Sequence, residues 1–512
     1  MTQAVVHSIQ STISADTLVF IPMIKRRTFL NLAAGATAVH LLTQCAKRGS
    51  RQPSHTNLSN TLQQTRVYQS NAGSLAVDLH ASSTYVTFGD RLANLLTYNS
   101  SFPGPTLEAS PGDTVRLTLR NELDTPTNLH YHGLHISPDV DNVFRNIPPG
   151  EQYTYEFQIP SNHPAMTGWY HPHYHLNVAS QVFRGLAGPL IIRGDVDRIP
   201  EIQQADEAIL MLQDIEPIPD PALQEPHPLG KRWGREGNLV LAHGFQNPVV
   251  NVPQNGLLRL RLINSSASRI YQLQLKDHPW FLMATDRGAI AEPTELQTLL
   301  LSPGERAEML IPGHREPGEY QLINQPYDRG VDDIISSFGD EVHQMTGVVK
   351  PTQTTVATLR YVEGDRPTPL PLPKQLIPVE PLPLPTITRE FVLNHGLDST
   401  AESTGFTINA QSFVMDRINT RVRLNDVEDW HIVNNATIDH PFHLHTNRFQ
   451  IIERNGQPEP LSAWKDTVSL KGHETVTIRV RFDDFVGRTV YHCHILDHED
   501  QGMMGILEIQ AT

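Results

Sequence analysis

"FPGPTLEASPGDTVRLTLRNEL" runs from Phe102 to Leu123, and its layout governs how the chain is read. A short run leads into the turn residues Pro111-Gly112-Asp113. From Thr114 to Asn121, apolar and polar residues then alternate with the period-2 pattern of a half-buried strand. The stretch ends at an asparagine-bearing corner. The same order of strand, turn, alternating strand and asparagine recurs in "NPVVNVPQNGLLRLRLINSS" (Asn247 to Ser266) and in "FTINAQSFVMDRINTRVRLNDVEDWHIVNN" (Phe406 to Asn435). A repeat of about 150 residues is the size of a domain, so it implies tandem β domains rather than a solenoid. Glycine (32) and proline (39) are plentiful among 512 residues, long amphipathic stripes are scarce, and length alone suggests roughly three domains. The expected fold class is all-β.

The boundaries follow from composition. Residues 1–45 read as an export signal region, 46–65 as a Ser/Gln/Asn-rich tether, 66–197 as the first domain and 198–364 as the second. Residues 365–388 form a proline-rich linker, a stiff extended connector that cannot pair in a sheet, and 389–512 form the third domain. Within the signal region, Lys25-Arg26-Arg27 precedes an apolar run from Phe29 to Leu42 that is too short to span a bilayer. The adjacent arginines resemble a twin-arginine signal, which implies export of a folded protein to the periplasm and no membrane span in the mature chain. The 22 residues before Met23 fit no signal pattern, and Met23 is an alternative start. The formal net charge of −15 offers no basic stripe for phosphates and argues against a nucleic-acid partner. The expected state is monomeric.

Two cysteines are present, Cys45 and Cys493. Cleavage after Cys45 leaves Cys493 without an intramolecular partner in an oxidising compartment, where a metal bond would protect the thiol.

Histidine is abundant, with 25 in the chain, and the informative ones are clustered. "HYHG" carries His130 and His132, "WYHPH" carries His171 and His173, "HPFHLH" carries His440, His443 and His445, and "HCHILDH" carries His492, His494 and His498. On a strand, residues i and i+2 share a face. Each His-x-His pair therefore presents two imidazoles to one centre, and four pairs supply eight ligands from the first and third domains, too many for one ion. By the same alternation Cys493 faces away from His492 and His494. With His440, His498 and Met503 it makes the ligand set of a blue-copper electron-transfer site. Zinc is the rival metal, since His-x-His also occurs in zinc hydrolases, but zinc has no use for that cysteine and methionine. His135, His163 and His175 lack matching partners and read as surface or outlying residues. The middle domain has the repeat without His-x-His and reads as a spacer.

These motifs, in order and spacing, resemble those of the multicopper oxidases, specifically three-domain bacterial laccases and copper efflux oxidases, over essentially everything after residue 65. The resemblance implies three tandem cupredoxin-like Greek-key β-sandwich or barrel domains and four copper ions. It places type 1 copper on His440, Cys493, His498 and Met503, and type 2 copper on His130 and His443. The type 3 pair falls on His132, His171, His173, His445, His492 and His494. Tyr131 stands where the family commonly has tryptophan and should face away from the coppers. Asp141 and Glu499 match acidic residues that the family keeps near the trinuclear cluster for proton delivery. The implied reaction is one-electron oxidation of a phenolic or aromatic donor coupled to reduction of O2 to water. Efflux oxidases cover the type 1 site with a methionine-rich insertion; "GLDSTAESTG" (396–405) has no methionine, so an uncovered type 1 edge is expected. "WKDTV" with Asp466 resembles a segment that helps bind oxidised metal, which keeps a cuprous or other metal-ion donor as an alternative. A noncatalytic relative or a copper nitrite reductase are further alternatives; the first lacks the ligands and the second the type 3 set.

Overall fold

The computed structural model describes residues 61–220, 225–226, 228–331, 349–395 and 405–511. The signal region, Cys45, most of the tether and nearly all of "GLDSTAESTG" lie outside the described residues. Six sheets form three face-to-face pairs. In the third domain one sheet runs, in spatial order, Phe406–Ile408, Ile387–His395, Val427–Asn434, Thr475–Arg481, Phe449–Arg454, Gln457–Pro458. Its partner runs Ile418–Arg423, Met504–Gln510, Gly487–Cys493, His440–Leu444, Thr467–Leu470. One pairing recurs in each domain: Ser74–Phe88 lies parallel to Thr114–Asn121, Asp206–Ile215 to Leu257–Asn264, and Ile387–His395 to Val427–Asn434. The all-β, three-domain cupredoxin-like architecture is thus established.

The quoted stretch is the joint of this sandwich. Thr106–Ala109 belongs to one sheet and Thr114–Asn121 to the other, so the Pro-Gly-Asp turn carries the chain between layers rather than closing a hairpin. The corner asparagine does the same work three times. Asn121 donates through its amide to the carbonyls of Thr125 and Ile147 and accepts from Leu123 N–H. Asn264 bonds Arg269 O and Leu301 O and accepts from Ser266. Asn434 bonds Ile438 O and Leu470 O and accepts from Ala436. A buried carboxamide with both ends satisfied ties strand end to loop where an apolar side chain would orphan three backbone groups.

Alternation predicts solvent for one face of each such strand. Thr114–Asn121 obeys, but all eight residues of Leu257–Asn264 are buried. Its arginines are the reason: Arg259 and Arg261 grip Glu308, and Arg261 also bonds Thr167 of the first domain. The polar face is an inter-domain contact. The proline-rich run likewise does more than connect, since Leu370 and Leu376 pack into the second domain's core and donate backbone N–H groups to Asn255 O and Ala291 O. No helix among the described residues is long and apolar enough to cross a membrane.

Candidate metal centre

Two neighbouring strands of the third domain sort the ligands. His440–Leu444 pairs antiparallel with Gly487–Cys493 so that Phe442 faces Cys493 and His443 faces His492. Alternation then puts Cys493 on the face of His440 and Phe442, and His492 on the opposite face with His443. Cys493 is fully buried in the core with Phe442, Tyr491 and Met503. The five-residue helix Leu496–Asp500 returns His498 to it, with Nδ1 3.8 Å from Cys493 Sγ, and Ile495 N–H points at the sulfur from 3.4 Å. His440, Cys493 and His498 bring ligand atoms within 4.8 Å of one another. Met503 is buried beside them, its carbonyl accepting Cys493 N–H at 3.0 Å. Burial pushes the Cys493 thiol well above its ordinary pKa.

On the other face, rings of the first and third domains interleave. His130 stacks on His445 and His132 on His443, both with centroids 3.9 Å apart. The Nε2 atoms of His173 and His445 lie 3.2 and 3.0 Å from Nε2 of His492. That spacing is close to the edge, about 3.3 Å, of a tetrahedron with metal–nitrogen bonds of about 2.0 Å. His132, His171 and His494 form a second triangle, with centroids 5.1 to 5.8 Å apart.

Tautomers are fixed from outside. Nδ1 of His130 lies 2.8 Å from Asp141, and Nδ1 of His171, His443 and His492 sit 2.8 to 3.0 Å from the carbonyls of Pro172, Asp466 and Cys493. Carboxylate and carbonyl only accept, so each Nδ1 carries the hydrogen and each Nε2 keeps a lone pair. Nε2 of His130, His171 and His443 is buried without a hydrogen-bond partner, as are Nδ1 of His132 and both nitrogens of His494. Orphaned buried polar atoms are costly, and a cluster of inward lone pairs braced from behind is how metal-binding imidazoles are arranged. Burial also lowers the pKa of His132, His171, His173 and His494 well below the usual value, which keeps these rings neutral. The donor set therefore fits metal ions.

The carboxylates occupy distinct places. Asp141 is buried behind His130, also accepting Tyr131 N–H at 3.0 Å; burial opposes its ionisation, but His130 and then His445 outweigh that and hold the carboxyl well below the usual range. Glu499 turns both oxygens into the cluster, 3.1 Å from His492 Nδ1 and 3.4 Å from His173 Nε2, without a well-aligned donor. Tyr131 points into the first domain's core against Tyr155 and Phe157. His135 bonds Thr446 O and Asp484, and His163 lies behind it; His175 stacks edge-on to Phe413.

Three expectations change. Asp466 is fully buried, gripped by Arg306 through two contacts of 2.7 Å and 3.3 Å from His132 Nε2. It braces the histidine cluster from inside the protein rather than standing at the surface. The edge of His498 is covered: the ring is fully buried and its Nε2 meets the Arg232 carbonyl at 3.0 Å. The cover comes from the second domain, helix Pro228–Trp233, where no motif in the third domain could announce it. That domain is consequently more than a spacer. It also supplies Arg306 and Gly304, where a Cβ would lie 2.7 Å from the His494 ring. His395, stacked against His498, was missed as well; it is a lone histidine with no partner at i+2.

Paired β-sandwiches with a cysteine–histidine centre back to back with an eight-imidazole cluster define a cupredoxin-type metalloprotein. Family models described as multicopper oxidase match residues 80–197, 211–363 and 385–511, and the chain belongs to the multicopper oxidase family. It is 29% identical to multicopper oxidase mco of Staphylococcus haemolyticus (82% of this chain, 85% of that one). It is also 29% identical to the cell division protein FtsP of Photorhabdus laumondii (80% and 84%). Among solved structures, a Campylobacter jejuni multicopper oxidase described as a metallo-oxidase superposes with TM-score 0.76 at 29% identity, covering 88% of this chain and 95% of that one. A laccase-like multicopper oxidase, CueO, from Ochrobactrum sp., with oxidase activity towards lignin model compounds, gives 0.74 at 27%, covering 88% and 100%. The family implies copper, O2 and a reducing substrate.

Proposed function

We infer that this chain is a laccase-like oxidase holding four coppers, which takes single electrons from a phenolic or aromatic donor and reduces O2 to water. The observation that carries the reading is the back-to-back placement of the two ligand faces on Gly487–Cys493, with Cys493 turned to His440 and His498, and His492 turned to His443. His440, Cys493, His498 and Met503 would hold type 1 copper, His130 and His443 type 2, and the other six histidines the type 3 pair. Bound copper supplies one-electron redox chemistry at the first site and a multi-electron store at the second. The protein's own share is to bind, orient and move protons. Asp141 fixes the His130 tautomer, and Glu499, with free oxygens in the cluster, is placed to hold a proton for departing water. Cys493 shares a backbone with His492 and His494, a covalent route between sites.

A phenolic donor is supported by the absence of methionine and cysteine from 228–235, the segment that covers His498, and by their absence from the sequence 396–405, since soft thioethers and thiolates are what select cuprous ion. The likeness to the Ochrobactrum enzyme agrees with this. A metal-ion donor is the second reading, favoured by the covered His498 edge and the likeness to the Campylobacter metallo-oxidase. The FtsP likeness suggests a noncatalytic role, against which the complete ligand set weighs. The Lys25-Arg26-Arg27 segment supports export to the periplasm. The test is to load the purified chain with copper, measure absorption at about 600 nm and copper content, then compare O2 uptake with 2,6-dimethoxyphenol and with Cu(I). A colourless copper-replete protein defeats the oxidase reading, and turnover confined to Cu(I) defeats the phenolic one.

A further inference from the structure

We propose that residues 228–233 are a displaceable plug, and that His395 and His498 together form a two-donor seat for a substrate oxygen which the Arg232 carbonyl fills at rest. The proposal rests on the oxidase reading and names how its donor is received. The Arg232 oxygen lies 3.0 Å from His498 Nε2 and 3.0 Å from His395 Nε2. A carbonyl only accepts, so both nitrogens carry hydrogens. The two rings stack 5.2 Å apart at 26°, and Phe406 stacks on His498 at 4.6 Å. Two convergent N–H groups on one oxygen form an acceptor seat. It offers no lone pair to a cation, whereas a phenolate oxygen can take the carbonyl's place and bring its ring against Phe406. With Cu(II) held by His440, Cys493 and His498, that ion would accept one electron from the phenolate seated on His498, and the phenolate would leave as a phenoxyl radical.

The segment is held unevenly. At its C-terminal end Arg235 binds buried Asp497 through its guanidinium and its N–H at 2.9 to 3.1 Å. Its carbonyl meets Ser268 Oγ, and Arg329 donates to Gly234 O. Among the ties of the helix itself are Gln501 to Lys231 O at 3.0 Å, a half-exposed Lys231–Glu225 pair, which contributes little, and two ring contacts, Trp233 edge-on to His395 and the Arg232 guanidinium over Phe406, none of them a buried ion pair. Between the two regimes stands Gly234 at φ +82, packed against Ile495 and Ser268, where only glycine is unstrained. The plug can therefore swing about Gly234 while Arg235 stays anchored.

The experiment uses the copper-loaded full chain and 4-nitrophenolate, a phenolate too electron-poor to be oxidised readily. Hydrogen exchange by mass spectrometry should show amides of 229–233 exchanging about tenfold faster at saturating ligand, with 235–237 unchanged. His395→Phe keeps the stacked ring and removes one donor, and should weaken 4-nitrophenolate binding about tenfold with the absorption at about 600 nm retained. Binding without faster exchange overturns the plug, and unchanged affinity in His395→Phe overturns the seat. Loss of the blue band in the unsubstituted protein instead fails the underlying oxidase reading. The exchange measurement needs no variant, so a misfolded His395→Phe leaves the plug testable.

Discussion

Replacing Asp141 with asparagine removes a negative charge behind the histidine cluster while keeping the shape of the side chain. Asp141 accepts from His130 Nδ1 at 2.8 and 3.0 Å and from Tyr131 N–H at 3.0 Å. The amide oxygen can keep both partners, and its nitrogen then turns towards His445 Nδ1, which lies 3.7 Å from Asp141 Oδ2. What disappears is charge assistance. A hydrogen bond to a charged group contributes about 1.5–3 kcal/mol and a neutral one about 0.5–1.5. The difference, about 1–1.5 kcal/mol, is roughly a tenfold change in affinity, the lower edge of the 10–100-fold range typical of partners behind metal ligands. Asp141→Asn should therefore lose the copper proposed for His130 and His443 to about tenfold less chelator than the unsubstituted protein, followed by its electron paramagnetic resonance signal. The absorption of the cysteine centre serves as internal control, because Asp141 touches none of its ligands. Equal retention of both signals refutes the bracing argument, and their loss together shows that Asp141 holds the fold rather than one ligand.

Cys493→Ser should abolish absorption at about 600 nm while leaving the eight-histidine cluster loaded, as read by copper content and magnetic resonance. Because burial raises the Cys493 pKa, the thiol of the metal-free fold stays protonated where an unfolded cysteine ionises, near pH 8.5. Above that pH the unfolded chain binds fewer protons, so apo stability should fall as pH rises; Cu(II) loading should release a proton and tighten with pH, seen by titration calorimetry in two buffers. Arg306→Met strips the partner from buried Asp466 and should cost about 3–5 kcal/mol in denaturant unfolding, with part regained in the Arg306→Met, Asp466→Leu double variant. Met503→Leu should raise the potential of the blue centre, measured by redox titration, since thioether coordination favours Cu(II).

What the sequence disclosed and what it hid divide along one physical line. His492 and Cys493 end one strand, with His494 directly after it, and His130 and His132 share another, so period-2 alternation carried one residue past the strand end assigns their faces. Tyr131 follows from the same rule. The arginines of Leu257–Asn264 obey alternation too, yet they are buried, because what covers a strand's outer face is decided by another domain. The Arg232 carbonyl on His498 is harder still: a backbone oxygen carries no residue-type signal, and 266 positions separate the two. Gly304 under His494 and Arg306 on Asp466 are similarly contacts between domains. The leucines spaced through the proline-rich run did carry a signal, since an exposed connector has no use for Leu370 and Leu376, both buried in the second domain.

The second domain, which contributes none of the ligands assigned above, bears on how the two centres stay matched. It grips the third domain on both sides of the strand that carries His492 and Cys493. Arg306 holds Asp466, whose carbonyl fixes the tautomer of His443, and Arg235 holds Asp497, next to His498. Both grips are buried ion pairs, which add little net stability against apolar replacements but penalise any arrangement that separates them. The first domain is bound into the same frame through Thr167, which hydrogen-bonds Glu308 and Arg261 of the second domain while its strand carries His171. A shift of the second domain would thus disturb the ligands at both centres together. The domain that carries none of the assigned ligands is therefore the part that keeps an inter-domain cluster and a cluster within one domain in a fixed relation, which the proposed electron transfer between them would require.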